Sequence, residues 1–425
     1  MFLIAPPTRL WHLPDGRGGH SVWRITMYNK SHVLSRSLDS LKNEAAEKMN
    51  KKRAEIREWI KLIRDERTPY KFKWAVSTTR DANVNSTGAA LAILKYFNLW
   101  DEFIDENIMR QGREWMESIH RGNGVFEDPA FFSRKPDGWD EKGLKWPPTS
   151  GHREVLNRGG LGLYKLYGGK MDLEEPPIPP EWPTLETIET SLDWIKETNN
   201  ASWTAKVILS LIRWYRKGST DDDMLLKCMR YVYEIQDPKT GMWHNDSIEA
   251  SFKYLVELFF RYPLPFNYAN EMLTWHMDKV YSPGYEPNGT NPCQEIDFWY
   301  NVGMIVKEEE YDYPTEDIIK TALWRIIHII DYYSAPDGGL KAALEGCETT
   351  WMDWDISPRI NQGGTVGTSG YGIAIIECAA LAELHDKVSW NLQWVKPKAQ
   401  DEGDLIPLSA LEELVKAKLS DVVNA

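Results

Sequence analysis

"SGYGIAIIECAALAEL", residues 369–384, is the stretch on which the fold turns. Its residues favour helix, and apolar side chains fall on nearly every face. A helix of that kind is surrounded by protein on all sides. It falls short of transmembrane length, so the surroundings are other parts of the same core. The chain therefore contains at least one helix that needs a complete coat of neighbours.

Five further stretches resemble it. They are "NVNSTGAALAILKYF" (83–97), "GHREVLNRGGLGLYKLY" (151–167), "NNASWTAKVILSLIRWY" (199–215), "NDSIEASFKYLVELFF" (245–260) and "NPCQEIDFWYNVGMIV" (291–306). Asn200 or Ser202 is placed to cap the third, Asn245 or Asp246 the fourth, and Pro292 suits a first turn. More charged helical stretches alternate with these, near 102–119, 183–197, 220–235, 267–280 and 314–332. A sixth comes from either 36–65 or 408–419, and strand signals are scarce. The apolar stretches start near 83, 151, 200, 246, 293 and 369, a unit of about 47–50 residues stretched twice by long loops. An open stack of helical hairpins has this period too. Six pairs whose inner members are apolar all round predict a closed ring: an all-α (α/α)6 toroid of six buried and six exposed helices. On this reading residues 1–70 are an N-terminal extension with a long helix packed on the toroid. Residues 71–390 are the toroid and 391–425 a C-terminal helical tail.

Connections from buried to exposed helices are mostly short. The return connections are long: 120–150, 236–245, 281–292 and 334–368. In an alternating ring they share one face, which also holds the N-termini of the buried helices. That face is the expected seat of function.

Composition limits the partners. The net charge of −13 argues against nucleic acid, which demands clustered Lys and Arg. No apolar run is long enough to span a membrane. The start, "MFLIAPPTRLWHL", lacks a basic leader, which predicts a cytoplasmic protein, or a secreted or periplasmic one if a leader has been removed. Cys228, Cys293, Cys347 and Cys378 lie far apart with no C-x-x-C spacing, so neither zinc nor a disulfide framework is expected. Phosphate-loop, serine-hydrolase and zinc-protease signatures are missing, and no cofactor is implied. The run "GGTVGTSGYG" (363–372) reads as a tight loop leading into the last helix. Twenty tryptophans are several times ordinary usage; they either fill a large core or line a cavity with flat faces that suit sugars or polycyclic hydrocarbons.

Three long loops open alike: "HRGNGVFEDP" (120–129), "QDPKTGMWHND" (236–246) and "SAPDGGLKAA" (334–343). Each places Gly shortly before an apolar residue, and the middle one fits Q-x(4)-G-x-W. This resembles the repeat of the squalene and oxidosqualene cyclases, whose domains are α/α toroids. The wider layout resembles the (α/α)6 glycoside hydrolases and polysaccharide lyases. That likeness implies acid–base cleavage of a poly- or oligosaccharide. The cyclase likeness implies instead an apolar cavity and an acidic motif. "STDDDM" (219–224) falls on a short connection, and "WMDWD" (351–355) is not D-x-D-D. A non-catalytic sugar-binding or scaffold protein is the remaining alternative.

Glycoside hydrolysis needs one protonated and one ionised carboxyl group. Asp246 and Asp297, at starts of buried helices, suit the ionised role; Glu127 or Asp353, among aromatics, suit the acid. Glu295 lies beside Asp297. His244 is a candidate base, alone or with Tyr300 as a lyase pair. His152 and Arg153 are candidates for an acidic sugar, and Trp139, Trp243, Trp299 and Trp351, with Tyr300, for substrate platforms.

Overall fold

The computed structural model describes residues 30–78, 80–122, 126–132, 160–170, 232–244, 246–259, 266–282, 285, 291–308, 312–351, 354–358 and 360–392. The helices predicted at 183–197, 199–215 and 408–419, and most of 220–235, lie outside these residues. So does 151–159 of the second apolar stretch, whose remainder is helical at 160–166.

The described chain is mainly helical. In order come α1 (Lys30–Ser35), α2 (Leu38–Ile63), α3 (Val84–Tyr96), α4 (Trp100–Phe103), α5 (Glu106–Ile119) and α6 (Pro129–Phe132). Then follow α7 (Ile248–Tyr254), which runs on as a π-helical turn (Leu255–Phe259), α8 (Ala269–Lys279), α9 (Pro292–Glu308), α10 (Thr315–Tyr333) and α11 (Thr365–Leu381). Two short strands, β1 (Thr350–Trp351) and β2 (Trp354–Asp355), pair antiparallel with Trp351 opposite Trp354.

Local chemistry explains where helices begin. The Ser37 side chain accepts from the Ser40 N–H to cap α2, and Asp105 accepts from Ile108 to cap α5. Asn83 and Ser86 form a reciprocal capping box on α3. Ser247 caps α7, accepting from Ala250 at 3.2 Å, so the cap is neither Asn245 nor Asp246. Asn291 serves the start of α9 through Gln294.

α5 and α11 differ in how much of their surface is covered. α5 buries only Ile108, Gly112, Trp115, Met116 and Ile119, a single stripe at spacings of three and four. α11 is buried nearly all round, from Thr365 to Ala379. It starts four residues earlier than its apolar run, so the glycine-rich segment is helix and not loop. Gly interior to a helix costs about 1 kcal/mol relative to Ala. Close packing offsets it: a Cβ on Gly367 would stand 2.6 Å from the Leu340 carbonyl oxygen, and one on Gly370 would stand 2.4 Å from Pro292.

The apolar helices pack in series. α7 lies against α9, α9 against α11, and α11 against α3, which brings the last described apolar helix beside the first. α10 packs on α11 and also on α2, and α8 packs on α9. α10, expected among the exposed helices, is buried from Thr321 to Ile330 because α2 covers it, and Leu41, Met49, Trp59 and Ile63 of α2 belong to the same continuous core cluster as α3, α9 and α11.

A repeated device joins exposed to buried helices. Arg64 pairs with Phe72, His120 with Phe126, Gln236 with Trp243, and Ser334 with Leu340, each an isolated antiparallel bridge. Arg64, His120 and Ser334 are the C-caps of α2, α5 and α10. The second member of each pair is a plug at most 2% exposed. In three repeats the plug's N–H donates to a hydroxyl on the next buried helix: Phe72 to Thr87 (3.1 Å), Trp243 to Ser251 (3.4 Å) and Leu340 to Thr368 (2.9 Å). Those hydroxyls occupy the fourth residue of α3, α7 and α11. Three of the four loops share a glycine signature in the sequence. The fourth, at 64–72, carries the turn on Pro69–Tyr70 instead and shows itself only in the structure.

Among the described residues, no helix is long and apolar enough to cross a membrane.

Candidate acid–base site between the buried helices

α9 carries acids on two of its faces, and they differ in every respect. Glu295 accepts from Arg325 Nε and Nη2 at 2.7 and 2.8 Å, from Trp299 Nε1 at 2.8 Å and from the Tyr285 hydroxyl at 3.2 Å. Glu295 and Arg325 are both 0% exposed. As the fourth residue of α9, Glu295 occupies the position where α3, α7 and α11 carry their bracing hydroxyls. It braces α9 against α10.

A second stripe of α9 carries Cys293, Asp297, Tyr300, Met304 and Lys307, at spacings of three and four. Asp297 is buried with the Glu249–Lys253 pair of α7 beside it, and that pair closes at 2.5 Å. Burial, then the negative charge of Glu249, holds the Asp297 carboxyl well above the usual carboxylate range; Lys253 opposes them. Burial thus favours the protonated form of Asp297, where its helix start predicts the ionised one. A first-turn position favours the anion only where the free N–H groups face it. Asp297 is the sixth residue of α9, past the first turn and buried against a neighbouring helix.

Cys293, one turn earlier, is partly covered. Burial and the charges of Asp297, Glu249 and Glu348 push its thiol up to about 12. Glu348 reaches this end of the molecule from the 340–348 loop. Its Oε1 accepts from the Val366 N–H at 3.0 Å at the start of α11, and burial lifts its carboxyl to about 7. A Cβ on Gly364 would lie 2.1 Å from Glu348 Oε2, so only glycine fits there. On the opposite flank Asp128 accepts from Val84 and Ala130 at 2.8 and 2.9 Å, and burial raises its carboxyl as well. Asp128 and Glu348 accept from the first turns of α3 and α11, and Glu249 and Asp297 lie near the starts of α7 and α9.

Other expected site residues fall elsewhere. Glu127 is exposed and pairs with Arg121 at 3.4 Å; the buried acid of that loop is its neighbour Asp128. Asp246 adopts a left-handed backbone (φ 61°) and accepts from the Thr240 hydroxyl at 2.7 Å, closing its own loop. His244, also left-handed (φ 50°), hydrogen-bonds the Tyr254 hydroxyl at 2.9 Å and stacks on that ring. Burial lowers it to about 4, which keeps it neutral and makes it a weak base. Trp243 and Trp299 are fully buried and serve packing, not substrate. Trp243 donates to the Val232 carbonyl at 2.8 Å and sits among Tyr254, Phe259 and Phe266. Tyr300 lies on the Asp297 stripe, edge-on to Phe252 at 5.5 Å. Asp353, Trp139, His152 and Arg153 lie outside the described residues, and of Trp351 only the backbone, in β1, is described.

Sequence reading missed Glu249, Lys253 and Glu348. The first two had a signal, acid and base four residues apart near the start of a buried helix. Glu348 had none, because its partners are more than fifteen residues away.

No protein-family model matches this chain, and no curated protein sequence matches it either.

Proposed function

We propose that this chain is a carbohydrate-active enzyme on an (α/α)6 toroid, cleaving glycosidic bonds by carboxylate acid–base catalysis. The toroid reading is supported by the serial packing of α7, α9, α11 and α3, by α2 standing beside α10, and by the repeated bridge and plug between exposed and buried helices. The reaction rests on one observation: a buried Asp297, its carboxyl raised above the usual range, set beside an ion-paired Glu249 near the starts of α9 and α7.

In this mechanism Asp297 gives its proton to the leaving glycosidic oxygen. Glu249, ion-paired with Lys253, stabilises the positive charge developing on the sugar and deprotonates the incoming water. Such a reaction requires one protonated and one ionised carboxyl, and burial of Asp297 favours its protonated form. The test is a panel of poly- and oligosaccharides assayed with the wild type, Asp297→Asn and Glu249→Gln. Each variant is expected to lose about 10²–10⁴-fold in kcat on whichever glycan is cleaved. Full activity in both sinks this site.

A second reading, a terpenoid-cyclase-like enzyme, is favoured by the Gln236 side chain. Its amide donates to the Gly241 and Asn267 carbonyls at 2.8 and 3.0 Å, tying the Q-x(4)-G-x-W turn to the chain before α8. Turnover of a linear polyprenyl substrate, with none of any glycan, would replace the first reading by this one.

A further inference from the structure

α8 carries two stripes. Met272, Leu273, His276 and Met277 are buried, and His276 meets Phe298 and Asn301 of α9. The opposite stripe pairs Asn270 with Glu271, Thr274 with Trp275 and Asp278 with Lys279, at helical spacings of three and four. All six line one open cleft of about 550 Å³. Ser282, just beyond α8, and Lys239, from the loop before α7, line it as well. The stripe extends over about 14 Å of helix, and the volume is within the range of ligand-binding clefts. The cleft opens on the side of α8 turned away from α9, so it is separate from the Asp297–Glu249 pair.

Trp275 is the cleft's one ring among the described residues. It is partly buried against the core cluster and stands edge-on to His276 at 5.1 Å, which holds the indole in place. The ammonium of Lys279, an exposed side chain, lies 5.6 Å from the ring centroid, near the outer limit of such contacts. The indole face is therefore only loosely covered.

The chemistry around the ring selects the ligand. The walls offer the Asn270 amide, the hydroxyls of Thr274 and Ser282, and both donors and acceptors in charged form. Two lysines and two acids line the cleft, so neither sign is in excess on its walls. A polyanion would call for clustered cations. An apolar polycycle would leave the polar groups unanswered. A sugar ring answers both halves, because it has an apolar face for the indole and a rim of hydroxyls that give and accept hydrogen bonds. An open cleft along a helix also lets a polymer run on past its ends. We propose that the α8 cleft is a second, non-catalytic glycan-binding site, in which Trp275 stacks on a neutral polysaccharide and holds the polymer close to the enzyme. The choice of a glycan rests on the glycosidase reading.

The test is electrophoresis of the full chain through native gels containing hydroxyethylcellulose, xylan, glycogen or galactomannan, with polygalacturonate as the acidic control. One neutral polysaccharide retards the wild type, and Trp275→Ala weakens that affinity at least about tenfold. Asp297→Asn, altered on another helix, is retarded as the wild type is. Because Trp275 also touches the core, Thr274→Arg is run beside it. Thr274 is exposed, and the longer side chain fills the cleft, so the same loss is expected. Circular dichroism establishes that each variant is folded. Wild-type retardation of a folded Trp275→Ala or Thr274→Arg overturns the cleft as a glycan site. Stronger retardation by polygalacturonate overturns the neutral assignment. Free passage through every gel overturns the site whatever the turnover assays show. Retardation lost in Trp275→Ala, without turnover of any glycan, upholds the cleft and sinks the Asp297 site alone.

Discussion

Glu295 and Asp297 stand two residues apart on α9, and the protein treats them in opposite ways. Glu295 faces α10 and fills its hydrogen-bonding capacity with Arg325, Trp299 and Tyr285. Asp297 faces α7 and is set beside another acid. The first side of the helix is built for stability, because each buried polar atom of Glu295 is answered. On the second, burial and a neighbouring acid raise a carboxyl above its usual range. Burial by itself does not distinguish the two; the partner does.

The largest expected effect is on the braced side. Glu295→Ala leaves Arg325 buried without its counter-ion and should cost about 3–5 kcal/mol in urea unfolding at pH 7. Asp297→Asn, measured in parallel, should cost nothing. If Asp297→Asn proves the more damaging, the contrast between the two faces is wrong.

Next comes a pH signature of the raised carboxyls. Glu377 of α11 is lifted by burial from an ordinary 4.5 to about 8, so the folded chain binds its proton more tightly than the unfolded chain. The stability this contributes is fully present below about pH 4.5 and is lost as the pH rises through about 8. Glu348, lifted to about 7, acts in the same direction between about 4.5 and 7. Glu377→Gln removes the larger of the two titrations. The gap in unfolding free energy between Glu377→Gln and wild type should grow in favour of the variant by about 2–4 kcal/mol from pH 4 to pH 9. A flat difference across that range would show that Glu377 is not held protonated.

The smallest effect tests the bracing repeat. Thr87→Val and Thr368→Val each strand a buried plug N–H and should cost about 1–2 kcal/mol apiece. Roughly equal losses would mark the two as equivalent positions of one repeat; a loss at one site alone would break that equivalence.

Much of the framework was legible in the chain. The apolar run at 369–384, the alternation with charged helices and the glycine-bearing loops depend on neighbours within a few residues, and those are written side by side. The site was legible only in part. Asp297 and Tyr300 stand out by type and position, but the burial that raises the Asp297 carboxyl does not show in the sequence, nor does it show that Asp128 and not Glu127 is the buried acid. Trp243 looked like a platform and is a core plug, because the sequence shows the ring and not the Tyr254, Phe259 and Phe266 that enclose it.

By itself, then, the sequence determined that the described chain is mainly helical, where most described helices lie, and that the run at 369–384 is surrounded by protein, but not that α10 is buried as well. Those outcomes follow from side-chain periodicity and local capping, which act over one or two turns. Tertiary structure alone decided which acid is a brace and which is raised above its usual range. That depends on desolvation and on charges such as Arg325 and Glu249, thirty and forty-eight residues away along the chain, which only folding brings within reach.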